Sequence, residues 1–300
     1  MDRATWQACA EAHAARVDAF VAPHLARRSE SVKHPVHDFL FTYYSQRPAQ
    51  LRRWHPGYGV ALADAPEYEG LKGYGVSTGA TVVSAEYVAS QRRLLSGLRN
   101  LLRATASRPA NFGCFGMHEW AMVYRLSEDE TRHADWPLRL GGAGTDAVVE
   151  SHRIACSHFD AYRFFTPAAA PLNTLSPTSA DRPDFEQPAC LHAGMDLYKH
   201  AFRLTPMISS DLVADCFELA RDIRELDMRA APYDLVDLGF EPVPVETAAG
   251  KAEYAEAQRV FAERGAPLRA RLVEECERLL AVGGDHRRPG AVADLRGHTG

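Results

Sequence analysis

Side chains of like character return at steps of three and four residues over long stretches of this 300-residue chain, and that spacing commits most of it to helix. Near the N-terminus Trp6, Ala10, Ala14, Val17 and Val21 keep this period, which predicts an amphipathic helix ending before Pro23. The segment 34–47 predicts a short aromatic helix between Pro35 and Pro48. Further helices are predicted over 85–106, 188–205, 209–230 and 247–281, the last broken at Gly265 and Pro267. Two regions depart from the pattern. Six glycines punctuate short Val and Tyr runs in 57–84, which predicts β-hairpins or irregular loops. Aromatic and β-branched residues near both ends of 148–165 predict one or two strands. The expected fold class is therefore α+β, mainly helical with a small β-sheet that includes 148–165. One globular domain is expected over 1–282, with a possible subdivision in the proline-rich 166–188 stretch and a disordered tail over 283–300.

Charge narrows the partners. The formal net charge of -5 gives no global attraction to polyanions, but the balance is uneven. Residues 1–110 carry 14 Lys and Arg against 9 Asp and Glu, and the remainder carries 20 against 30. A polyanion site is expected in the first third. Six scattered cysteines without a C-x-x-C pair indicate neither a disulfide framework nor a zinc knuckle, and a reduced, cytoplasmic setting fits. No 18-residue apolar run occurs, so neither a signal peptide nor a membrane span is expected.

Several clusters can carry chemistry, each with a structural alternative. Arg92, Arg99 and Arg103 share one stripe of helix 85–106; with Arg52 and Arg53 they can follow a phosphate backbone, or form a solvated face. Asp211, Asp215, Glu218, Asp222 and Glu225 form an acidic stripe that can pair with basic groups or hold hard cations. His118 and Glu119 follow a glycine-containing turn, where Glu119 can act as a general base and Trp120 as a stacking platform, or both can satisfy backbone groups at a core helix start. In a strand, His158 and Asp160 would face one side, and with His192 or His200 they would approach the two-histidine, one-carboxylate arrangement of non-haem iron sites. A buried polar cluster is the alternative. His192, Asp196 and Lys199 lie on one stripe of helix 188–205, as ion-paired or functional groups.

Six stretches taken together carry a family likeness: His34-Pro-Val-His-Asp-Phe-Leu-Phe-Thr-Tyr-Tyr44, Arg47-Pro-Ala-Gln-Leu-Arg-Arg-Trp-His-Pro-Gly57, Phe112-Gly-Cys-Phe-Gly-Met-His-Glu-Trp-Ala-Met-Val-Tyr-Arg125, His158-Phe-Asp-Ala-Tyr-Arg-Phe-Phe165, Leu191-His-Ala-Gly-Met-Asp-Leu-Tyr198 and Asp222-Ile-Arg-Glu-Leu-Asp-Met-Arg229. Over residues 30–280 the chain resembles a bacterial family carried under the name 3-methyladenine DNA glycosylase. The resemblance implies base-excision repair of DNA containing alkylated bases, by hydrolysis of the N-glycosidic bond to alkylated adenine without a cofactor. It brings no catalytic residue with it. That chemistry needs an extruded base, aromatic stacking and a carboxylate beside the developing sugar cation. Trp54, Trp120, Tyr43 and Tyr44 are the stacking candidates; Glu119 and Asp160 are the carboxylates, oriented by His118 or His158. The competing expectation is a metal-dependent hydrolase or non-haem iron oxygenase that does not act on DNA, with Fe or Zn held by His158, Asp160 and His192.

Overall fold

A computed structural model of the chain describes residues 1–44, 46–131 and 133–282, so the tail expected over 283–300 lies outside the described residues. Twelve α-helices are described: α1 Arg3–Ser29, α2 Phe39–Thr42, α3 Pro48–Arg52, α4 Ala85–Ser90, α5 Arg92–Ser107, α6 Met117–Ala121, α7 Gly141–Ser151, α8 Phe159–Tyr162, α9 Arg182–Phe185, α10 Leu191–Arg203, α11 Ser210–Arg229 and α12 Ala248–Ala281. Three short strands, β1 Ala61–Leu62, β2 Tyr74–Ser77 and β3 Ala80–Val83, form an antiparallel sheet in the order β1-β3-β2. The fold is mainly helical α+β. Its sheet comes from the glycine-punctuated region: Ser77 pairs with Ala80 across Thr78 and Gly79, both at positive φ, as a two-residue hairpin turn requires.

Helix starts follow capping chemistry. The side chains of Asp2, Ser84, Ser209 and Thr247 accept backbone N–H groups of α1, α4, α11 and α12. Three expectations need correction. The 148–165 segment holds no strand of the sheet: Val148 and Val149 are buried on α7, His158 caps α8, and pairing is reduced to one bridge between Ile154 and Asn173. Packing has overridden the local preference of β-branched residues. Neither α1 nor α12 stops at its proline. Pro23 and Pro267 lie on solvent-exposed positions, and burial of neighbouring side chains, Val17, Val21 and His24 on α1 and Tyr254 and Leu272 on either side of Pro267, outweighs a penalty of about 3 kcal/mol per interior proline. The aromatic helix shrinks to α2.

Helices α10 and α11 occupy the centre. Gly194 allows their close approach, because a Cβ there would lie 2.7 Å from Ile223 Cδ1. One hydrophobic cluster extends from Val17 on α1 to Leu279 on α12 through both central helices. A smaller one gathers Trp6, Trp54, Leu62, Ala65 and Tyr68 beneath the sheet. The acidic stripe of α11 faces this protein's own cations: Arg16 bonds Asp215 and Glu218, Arg271 bonds Asp215, and Arg264 bonds Asp222.

Candidate functional site

The central helices bury charge as well as hydrocarbon. Gly116, at φ 66, turns the chain into α6, and all five residues of that helix are buried. Trp120 donates from Nε1 to the Ala230 carbonyl at 2.8 Å, fixing α6 against the end of α11. This places His118 Nε2 2.9 Å from Asp227 Oδ1. Arg224, one turn earlier on α11, donates to Asp227 Oδ2 and Glu119 Oε1, each at 3.0 Å, and to the Pro35 carbonyl at 3.4 Å. His192 enters from α10, its ring edge-to-face with His118 at 4.5 Å and 5.4 Å from His158.

Ligating atoms of His118, His192 and Asp227 lie within 4.8 Å of one another, with all three residues buried. Burial disfavours the charged form of His118, but Asp227 and Glu119 outweigh it and raise its pKa. Burial likewise opposes ionisation of Asp227, and the neighbouring His118, His192 and Arg224 overcome it, holding that carboxyl well below its usual range. His192 goes the other way. Burial first, and then His118, push its pKa well below the ordinary histidine value, and its ring has no hydrogen-bond partner among the described residues. It is a neutral imidazole, the form that binds metal.

A second charged group adjoins the first. His158 is fully buried, with Nε2 3.4 Å from Glu186 Oε1 and 3.5 Å from Asp196 Oδ2, and neither ring nitrogen makes a hydrogen bond. Arg182 bridges these two carboxylates at 2.5 and 2.7 Å. The Tyr44 hydroxyl donates to Asp196 at 3.1 Å. Asp160 pairs with Lys199 at 2.7 Å and with Arg163 at 3.3 Å; burial works against its ionisation, but the Lys199 contact keeps its pKa lowered.

Three cavities surround this core. One of about 20 Å³ is lined by His118, His158 and His192 together with Cys114, Cys156 and Cys190. Another, of about 10 Å³, is lined by Glu119, His192, Arg224 and Asp160 together with Phe39, Tyr43 and His133. The third is an open groove of about 380 Å³ in which Tyr43, Tyr44 and Asp160 meet Arg163, Lys199 and Phe202.

The structure therefore gathers His118, Glu119, His158 and His192, and brings Asp160 with Tyr43 and Tyr44 to an adjacent groove. His158 and Asp160 do not project from a strand: they are the cap and first turn of α8. Trp120 is fully buried, and Trp54 is packed beneath the sheet. Of the arginines, Arg92 donates to the Leu280 carbonyl, Arg103 pairs with Glu277, Arg99 bonds Asn100 and Arg52 bonds Asp18, while Arg53 is exposed. Asp227, Arg224, Arg182 and Glu186 were not singled out by sequence reasoning. A signal for two of them existed: Arg224 and Asp227 are opposite charges at i and i+3 on the buried face of α11, off its acidic stripe.

Comparison of the chain with protein-family models, with curated proteins and with solved structures returns no match.

Proposed function

We propose that the protein is a metal-dependent enzyme in which His118, His192 and Asp227 hold one divalent ion. The observation that supports this reading is the convergence of these donors, from α6, α10 and α11, in the protein interior. A tetrahedral ion with ligands near 2.1 Å would hold them roughly 3.4 Å apart, within reach of side-chain rotation. Two imidazoles and a carboxylate suit Zn or Fe. Burying so many charges contributes little net stability, which favours a chemical reason for them. With three protein ligands, an ion keeps open positions for water or substrate, consistent with a hydrolase or, with iron, an oxygenase. Here Asp227 takes the part that the sequence suggested for Asp160. The test is incubation with Zn or Fe(II), removal of free ion and measurement of bound metal. About one equivalent should remain, and Asp227→Asn or His192→Ala should lose it while staying folded by circular dichroism. A wild-type protein that retains none rejects the site.

The second reading is the DNA glycosylase activity implied by the family resemblance. It is favoured by the meeting of Tyr43, Tyr44 and Asp160 in one groove, where a base can lie against the tyrosines with the carboxylate beside the sugar. Base release from methylated DNA that resists chelators and is lost in Asp160→Asn would establish this reading over the first.

A further inference from the structure

A groove of about 600 Å³ lies between the end of α1, α2 and the 133–136 segment. That is the size of a pocket for a small organic ligand. Its wall toward the protein interior is Phe39 and His133, which also bound the small cavity beside His192, Glu119 and Arg224. Phe39 is held in place from behind, with the Arg224 guanidinium 3.9 Å from its ring centroid. The groove and that cavity thus share two lining residues, and His192 of the candidate metal centre also lines the cavity.

We propose that this groove binds the substrate of the metal centre, and that the substrate is a planar aromatic or heteroaromatic anion; the inference rests on the metal reading above. Three observations define the ligand. Arg28 and Arg47 line the groove and have no carboxylate partner among the described residues, so they supply charge for a phosphate or carboxylate. Trp136, half-buried on the groove wall, offers a face for a ring, whereas the Phe39 ring is already covered by Arg224 and Tyr43. Gln46 lines the groove and is 4% exposed, and its Oε1 is buried without a hydrogen-bond partner, a costly state that rotation of the amide toward an N–H donor on the ligand would relieve.

The experiment uses calorimetry on the whole 300-residue chain with adenosine 5′-monophosphate and with indole-2-carboxylate, one phosphate and one carboxylate, each carrying an N–H donor. Binding of at least one is expected, with the stronger arm identifying the anionic group. Arg28→Ala combined with Arg47→Ala should weaken it at least about tenfold, and Trp136→Ala should weaken it separately, with metal retention unchanged in both. In the Co(II)-loaded protein the visible absorption should shift when the probe binds. Failure of both probes at millimolar concentration, or equal binding by the variants, overturns the groove; an unshifted cobalt spectrum overturns its connection to the centre. A protein that binds the probe but retains no ion refutes the metal reading and leaves the groove standing.

Discussion

His118 and His192 touch, yet their surroundings drive them in opposite directions: the Asp227 carboxylate raises the pKa of one, whose extra proton a bound ion would displace, and burial without such a partner lowers the pKa of the other. The same logic makes His55 a test of pH dependence away from the site. Burial first, then Arg53, lower its pKa to about 3, and Nδ1 meets the Tyr74 hydroxyl at 2.8 Å. The unfolded chain takes up a proton near pH 6.5 and the fold does not, so this contribution is complete above that pH and is lost as pH falls toward 3. Between pH 7 and pH 5 the loss from one such histidine is about 2 kcal/mol. His55→Phe should therefore flatten the fall in stability over that interval by about 2 kcal/mol, whatever its effect at pH 7. Urea unfolding at both pH values measures it, and an unaltered difference would refute the assignment.

Among the elements, α12 shows that a helical glycine can be required by its surroundings. A Cβ on Gly250 would stand 2.1 Å from the Pro244 carbonyl oxygen, whereas one on Gly97 of α5 would meet nothing within 4 Å. Gly97→Ala should stabilise the protein by up to about 1 kcal/mol, and Gly250→Ala should destabilise it by about 1–3 kcal/mol despite the same gain in helix propensity. Thermal unfolding of the two variants checks this, and shifts of the same sign would contradict the packing argument. Elements with a one-sided charge or apolar stripe were legible from sequence, and α10 and α11 lie within two or three residues of their expected bounds. The 148–165 stretch was not, because its valines are buried on a helix whose partners are distant in sequence. The site divides similarly. His118, Glu119, His158 and His192 stood out by residue type, but the pairing of His118 with Asp227 spans 109 residues and is created only when α6 docks on α11.

At the scale of the whole molecule, an ion shared by α6, α10 and α11 would tie together the helices that carry the main core, so its binding should register as global stability. Free metal at a hundred times its dissociation constant should add about 2.7 kcal/mol, roughly 4 °C in Tm for a chain of this size. A chelator should reverse the gain. An equal rise in Asp227→Asn would place the stabilising ion elsewhere. Charge is organised on the same scale: Arg92 and Arg103 fasten α5 to α12, and the acidic face of α11 is met by Arg16, Arg264 and Arg271, so much of the uneven charge in the sequence is taken up inside the fold.

The four tryptophans are distributed just as unevenly. Trp6, Trp54 and Trp120 are 3%, 6% and 0% exposed, and Trp136 alone is half-buried, at the rim of the large groove. A collisional quencher such as iodide therefore has one indole within reach, and the emission it removes comes from the groove while the shielded remainder reports on the interior. The native protein thus carries a local optical gauge and an internal reference in the same spectrum, without any attached dye.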